Sequence, residues 1–215
     1  SHSNAHQLID RYDRNFFRND LEISIKSLED ITGKKVISYR APGFSLVENT
    51  MWAFDELVRQ GIEYDCSIFL GNHSHGGRIK SFGLYPSVIN IEGKKIKEFP
   101  VNSFKFLNKE VPFSGGGYFR LLPYQIIKRL MRISDYNMTY FHPRDFDKEQ
   151  PIIKDLSYYR FFRSYYGLKS SFPKAVKFLN DFDFVTLSQA DKLIDWDRAQ
   201  QFNLINGNLQ LANYL

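Results

Sequence analysis

The sequence has a single cysteine, Cys66, and no apolar run of membrane-spanning length. One cysteine excludes a disulfide framework and a cysteine-based zinc site. It is typical of a reducing compartment, although it leaves the periplasm open. A membrane helix needs about 18 consecutive apolar residues, and no secretion signal is recognisable. We therefore expect a protein without a transmembrane segment, and we favour the cytoplasm over the periplasm or cell envelope.

Internal repeats and long linkers are also absent. The 215 residues are 43% hydrophobic and 25% charged, which suits a single domain with a full core. We assign residues 1–187 to this domain and residues 188–215 to its C-terminal helix and tail.

The chain is basic, with a formal net charge of +5 and a pI of about 9.1. Its basic residues are scattered, and the densest run is only residues 94–97. A nucleic-acid surface normally clusters them on one face, so no nucleic-acid partner is predicted. The 20 Phe and 13 Tyr favour a large aromatic core, although a carbohydrate site would also use them.

Helix and strand patterns alternate in the first third of the chain. Residues 13–31 have helical spacing of apolar side chains and end before Gly33, which suits a left-handed cap. An apolar strand at 36–39, a helix at 48–60 and a strand at 62–69 follow. This alternation predicts an α/β fold with a parallel sheet or barrel.

Further along, the pattern predicts a hairpin at 88–106 that turns at Glu92-Gly93. A glycine loop at 114–120 precedes a helix at about 123–133. The remaining predicted elements are a strand at 137–142, a helix at 172–181, a strand at 184–187, a helix at 188–199 and a loosely packed tail.

Several residues are candidates for a catalytic site. His2 and His6 are four apart, so on a helix they would share one face and provide two metal ligands. Arg40, Asp65 and His142 each end an apolar run, where α/β folds gather functional residues. Each also has an ordinary structural interpretation as a turn or cap residue.

A second histidine pair, His73 and His75, lies in a glycine-rich loop. A metal site is one interpretation and an exposed surface pair is the other, and the i, i+2 spacing favours the surface.

Four motifs together resemble a known family. His2-Ser3-Asn4-Ala5-His6 resembles the H-[ST]-x-x-H metal motif of the NodB-type polysaccharide deacetylases (carbohydrate esterase family 4). Arg40-Ala41-Pro42 is similar to the family's R-x-P motif. Residues 64–67 and 140–143 are similar to its Asp-containing and final His-containing motifs. The order and spacing of the four motifs also agree.

The resemblance extends to a subgroup that has a C-terminal extension and occurs in bacterial exopolysaccharide and surface-glycan loci. Residues 39–45, the string SGGGYFRLLP at 114–123, and residues 161–167 and 181–184 are similar to that subgroup. The resemblance implies a distorted (β/α)7-type barrel, which in this chain would lack its first strand.

The implied activity is metal-dependent hydrolysis of the N-acetyl amide of sugars in a bacterial polysaccharide or its precursor. The implied cofactor is a divalent metal, most often zinc, with cobalt, nickel and manganese as alternatives. His2 and His6 would be metal ligands, and His142 would be the general acid that protonates the leaving amine. Asp65 would orient His142, and Arg40 would hold a general-base aspartate.

Three further residues are implied at the substrate. The N–H of Gly43 would help to stabilise the oxyanion, and Gly116 and Tyr118 would border the sugar. The same glycine loop is equally well explained as a tight turn before a helix.

One family motif is missing from the 215 residues. The aspartate pair that supplies the third metal ligand and the general base is absent. A catalytically incomplete module that binds glycans is therefore the alternative function. The expected partner in both cases is an N-acetylated glycan, and the sequence does not determine the oligomeric state.

Overall fold

The computed structural model describes residues 1–71, 79, 82–107 and 109–212. These residues form a mixed α/β fold built on a six-stranded sheet and a separate two-stranded hairpin, which confirms the predicted α/β class but not the predicted parallel sheet, because two of its strand pairs are antiparallel. No helix in this part of the chain combines the length and the apolar character needed to cross a membrane.

The main sheet has the strand order β1-β2-β4-β3-β7-β8. Neighbours β1, β2 and β4 are parallel, whereas β3 and β7 run in the opposite direction. The sheet is open over the described residues, so the predicted barrel is not confirmed. The strands are β1 (Ser38–Tyr39), β2 (Tyr64–Asp65), β3 (Ser87–Ile91), β4 (Lys94–Glu98), β5 (Ser103–Phe106), β6 (Lys109–Pro112), β7 (Gln200–Ile205) and β8 (Asn208–Leu211).

The first helix follows its sequence signals closely. Asp13 caps it by accepting a hydrogen bond from the Phe16 N–H at 2.9 Å, and Gly33 ends it in the left-handed conformation with φ 64°. The helices are α1 (Arg14–Thr32), α2 (Ala53–Arg59), α3 (Gly116–Leu121), α4 (Tyr124–Met131), α5 (Tyr158–Tyr165), α6 (Leu168–Asp181) and α7 (Leu187–Leu193).

The strand predicted at residues 137–142 does not form. Its only ladder contact within the described residues is an isolated bridge between Gly115 and Tyr140. Side chains satisfy the backbone instead: Asn102 Oδ1 accepts from the Met138 N–H at 3.1 Å, and Ser114 Oγ donates to the Met138 carbonyl at 2.7 Å. The apolar run is therefore held in a loop by polar neighbours.

The C-terminal elements also differ from the prediction. Residues 184–187 are not a strand, because Thr186 caps α7 instead. The tail is not loose over residues 200–211, since β7 pairs with β3 and β8 pairs with β7. Asn206 (φ 49°) and Gly207 (φ 73°) make the turn between them.

The predicted hairpin at 88–106 is shorter than expected. Strands β3 and β4 turn at Glu92 (φ 48°) and Gly93 (φ 82°), as predicted. Residues 103–106 belong to the second hairpin, where they pair with β6.

Candidate active site

His2 and His6 lie side by side at the edge of the sheet. Their ring centroids are 4.9 Å apart and meet edge to face. The segment is not helical, contrary to the expectation of a helical turn: Ser3 (φ 67°) and His6 (φ 51°) are both left-handed. A tight loop, rather than a helix face, therefore brings the two imidazoles together.

A buried aspartate that sequence reasoning missed fixes this loop. Asp20 on α1 is 4% exposed. Its carboxylate accepts hydrogen bonds from the Ser3 hydroxyl at 2.7 Å and from the backbone N–H groups of Asn4 and Ala5 at 2.9 and 2.8 Å. The detectable signal was a carboxylate on the same helix face as Phe17 and Leu21.

The first histidine is oriented by the backbone of Arg40. His2 Nδ1 lies 2.6 Å from the Arg40 carbonyl oxygen, which suits an Nδ1–H donor and leaves Nε2 without a proton. Burial lowers the pKa of His2, favouring the neutral form that metals require. The charges of His6, Arg40 and His142 lower it further.

Backbone hydrogen bonds between Ser1 and the residues at β1 explain why His2 lies close to Arg40. The Ser1 N–H donates to the Ser38 carbonyl at 2.6 Å, and the Ser1 carbonyl accepts from the Arg40 N–H at 3.0 Å. These bonds extend the sheet beside β1 and place His2 next to Arg40.

The Arg40 side chain turns inward from the end of β1. Its Nε donates to the Cys66 carbonyl at 3.3 Å, and its guanidinium lies 5.8 Å from the centre of the Phe44 ring. Further along the same loop, Gly43 (φ 61°) and Phe44 (φ 53°) are both left-handed. Phe44 tolerates this strained conformation because its ring packs 5.0 Å from that of Tyr140.

Asp65 has a different setting from the one predicted. It is fully buried, and it accepts hydrogen bonds from the Ser67 N–H at 3.0 Å and the Ser67 hydroxyl at 2.7 Å. Ser67 Oγ in turn accepts from the Ala41 N–H at 2.7 Å. Asp65 thus anchors the loop that follows Arg40, and its predicted bond to His142 is not found among the described contacts.

A second buried carboxyl group, missed by sequence reasoning, faces Asp65. Glu98 is its register partner on β4 and is 0% exposed. One Glu98 oxygen accepts from the Ile68 N–H at 3.0 Å, while the other has no hydrogen-bond donor among the described residues. Burial and the neighbouring Asp65 charge raise the pKa of Glu98 well above its ordinary range. Two buried carboxyl groups thus face each other at this point of the sheet.

The carboxylate beside His142 is Asp145, three residues along the chain. Asp145 Oδ2 accepts from the His142 backbone N–H at 2.9 Å and lies 3.6 Å from His142 Nδ1. The His142 side chain is 59% exposed, whereas that of Asp145 is 6% exposed. An acidic residue at the third position of a helical turn is a capping signal that sequence reasoning had passed over.

The glycine loop closes against Tyr140. A Cβ added to Gly115 would lie 2.6 Å from a Tyr140 ring carbon and closer still to the Tyr140 carbonyl oxygen. Gly116 has φ 53° and faces the same ring. Close chain packing thus accounts for both glycines, as in the tight-turn interpretation. The substrate roles of Gly116, of Gly43 and of Tyr118, which is 37% exposed, stay predictions.

The two histidines fit two positions of a metal shell. No group of three His, Cys, Asp or Glu side chains able to hold an ion occurs within the described part of the chain. The pair His73 and His75 lies outside the described residues.

Comparisons with known proteins bear on the family and the fold. A family model described as a domain of unknown function, DUF3473, matches residues 66–192, more than half of the chain. A search of curated proteins finds no significant match.

One similar solved structure is a crystal structure of a Mycobacterium smegmatis protein provisionally described as a polysaccharide deacetylase. The TM-score is 0.55 at 16% sequence identity, and the match covers 100% of this chain and 66% of that one. An identity this low shows a shared fold. The chain belongs to the DUF3473 family, and it shares its fold with that Mycobacterium smegmatis protein.

Proposed function

We propose that this chain provides most of the active site of a metal-dependent deacetylase that hydrolyses the N-acetyl amide of sugars in a bacterial polysaccharide or its precursor. The observation that carries this proposal is the pairing of His2 and His6 beside Arg40. The two imidazoles lie 4.9 Å apart, and His2 Nδ1 lies 2.6 Å from the Arg40 carbonyl oxygen. The shared fold supports the same conclusion.

In this proposal, His2 and His6 would hold the divalent metal. When bound, zinc or a similar ion supplies Lewis-acid polarisation of the acetyl carbonyl and an activated water. Asp20 keeps the histidine loop in place, and the Arg40 carbonyl fixes the His2 ring.

His142 is the proposed general acid. Its exposed ring can reach a bound sugar, and an imidazole exchanges protons readily near neutral pH. As the amide C–N bond breaks, His142 gives its proton to the departing sugar nitrogen, and the products are acetate and the free amine.

The decisive experiment is metal analysis combined with an acetate-release assay on the product of the complete gene. We expect one divalent ion per chain and release of acetate from N-acetylated glycans. Absence of acetate release from every such glycan, with metal bound, would reject the enzyme.

Two variants test the proposed roles of His142 and His6 separately. We expect His142→Ala to abolish turnover while metal content is unchanged, and His6→Ala to lose metal as well as turnover. Full turnover in His142→Ala would remove His142 as the acid.

The alternative is a glycan-binding module without catalysis. It is favoured by the lack of a third metal ligand among the described residues. For the 215-residue chain alone we expect weak metal occupancy, because two histidines leave most of the coordination shell to water. Tight binding of an ion with a carboxylate of this chain in its shell would contradict that expectation.

A further inference from the structure

A single buried guanidinium joins the glycine-loop helix to the end of α5. Arg120 on α3 is 7% exposed. Its Nη1 donates to the carbonyls of Ser164 and Tyr166, both at 3.0 Å, and its Nη2 donates to that of Arg163 at 2.8 Å. These carbonyls belong to the C-terminal end of a helix, which attracts positive charge.

The fit around Arg120 is close on its backbone side as well. Gly167, just after α5, has φ 74°, and a Cβ there would lie 2.8 Å from the Arg120 carbonyl oxygen. Arg120 is therefore held in one position by the chain segment that ends α5.

Asp145 lies between this guanidinium and His142. Its Oδ1 is 3.3 Å from Arg120 Nε, and its Oδ2 faces the backbone N–H and Nδ1 of His142. The two oxygens of one carboxylate thus have separate partners. Burial alone would raise the pKa of Asp145, but the bonds from His142 and the charge of Arg120 lower it below its ordinary value. The group is a carboxylate at neutral pH.

We propose that Asp145, itself held by Arg120, is the positioning residue for His142. It accepts the Nδ1–H of the ring and so leaves Nε2 as the nitrogen that exchanges a proton with the substrate. This inference rests on the proposed function for its catalytic meaning. The 3.6 Å separation is longer than a formed hydrogen bond, and such contacts commonly tighten when substrate binds.

Asp65 is not available for this task. Both its oxygens are bonded to Ser67, and it is fully buried opposite Glu98. The carboxylate that meets the imidazole comes from the same loop as the histidine.

The test is ¹⁵N NMR of the His142 ring at a pH where it is neutral. We expect the Nδ1–H tautomer to dominate in the protein. In Asp145→Ala we expect the Nε2–H tautomer, which a free histidine side chain prefers, to dominate. The matched control is Asp147→Ala in the same loop, an exposed carboxylate whose hydrogen-bond partner among the described residues is the Glu149 N–H; it should leave the tautomer unchanged.

Turnover provides the second readout. We expect Asp145→Ala to lower kcat about 100-fold with little change in KM. Arg120→Lys, which keeps the charge but loses the planar fork, should have a smaller effect in the same direction.

A dominant Nε2–H tautomer in the unmodified protein would overturn the positioning role, even if every variant failed to fold. An unchanged tautomer in a folded Asp145→Ala protein would also overturn it. A tautomer switch in a protein that releases no acetate would reject the proposed function while supporting the orientation of His142.

Discussion

Asp65 and Asp145 are both buried carboxyl groups near the candidate site, but their surroundings are opposite. Asp65 faces another carboxyl group, Glu98, across two parallel strands. Asp145 faces the Arg120 guanidinium across a loop. In the first pair burial raises the pKa of both carboxyl groups, and the second pair is an ion pair beside an exposed imidazole. Buried acids can thus support a site either by losing their charge or by keeping it.

The glycine loop packs closely against Tyr140. Disrupting this packing should have the largest effect on stability. In Gly115→Ala the new methyl group would overlap the Tyr140 ring and carbonyl. We expect a loss of about 3 kcal/mol or more in the free energy of unfolding, or failure to fold, measured by urea denaturation.

The matched control is Gly117→Ala. The nearest atom to its new methyl group would be Arg120 Nη2 at 3.7 Å, an ordinary contact, so its stability should stay close to that of the parent. Equal effects at positions 115 and 117 would contradict the packing explanation.

Replacing a carboxyl group by the matching amide should affect stability differently at Asp145 and at Glu98. Asp145→Asn leaves the buried Arg120 without its charged partner, and we expect a loss of about 2 kcal/mol. Glu98→Gln should cost less than about 1 kcal/mol, since the amide can accept from Ile68 N–H and donate to Asp65 as the protonated acid does.

Denaturant titration of Asp145→Asn and Glu98→Gln under the same conditions measures the two losses of stability. A large loss in Glu98→Gln would mean that Glu98 is charged in the folded protein, and the contrast with Asp145 would disappear.

The pH dependence of stability should show a smaller difference. The pKa of Glu98 is raised in the folded protein, so its contribution is fully present below its ordinary pKa of 4.5 and declines as the pH rises. The pKa of Asp145 is lowered, so its contribution is present above 3.8 and is lost on acidification. We expect Glu98→Gln to flatten the alkaline side of the stability profile and Asp145→Asn to flatten the acid side. The measurement is the midpoint of unfolding as a function of pH. The explanation would be wrong if Glu98→Gln flattened the acid side of the stability profile and Asp145→Asn flattened the alkaline side.

Local signals predicted the local structure. The Gly33 cap and the Glu92-Gly93 turn are properties of a few adjacent residues, and they form as the sequence predicts. The hairpin at 200–211 carried an equally strong signal in Asn206-Gly207, which was overlooked because the flanking residues are only partly apolar.

Pairing across the chain was not predictable in the same way. The sequence shows that Asp65 ends a strand, but not that Ser67 takes both its oxygens. The apolar run at 137–142 does not reveal that Asn102 and Ser114 will satisfy its backbone. The resemblance to the deacetylases predicted which motifs gather at one edge, while the partners of each side chain depend on the complete packing.

Asp20 gives the histidine loop a thermodynamic property that its own residues lack. Restricting the backbone of one residue costs roughly 1–2 kcal/mol of conformational entropy, and the loop contains two left-handed residues that unfolded chains rarely adopt. Three hydrogen bonds that the loop donates to Asp20 on α1 impose this ordering in the folded protein. In the proposed metal site, a cation at His2 and His6 would therefore meet a preorganised loop, and its affinity would not be reduced by the entropy of closing that loop. The affinity of the proposed site would thus depend partly on a residue outside the histidine motif.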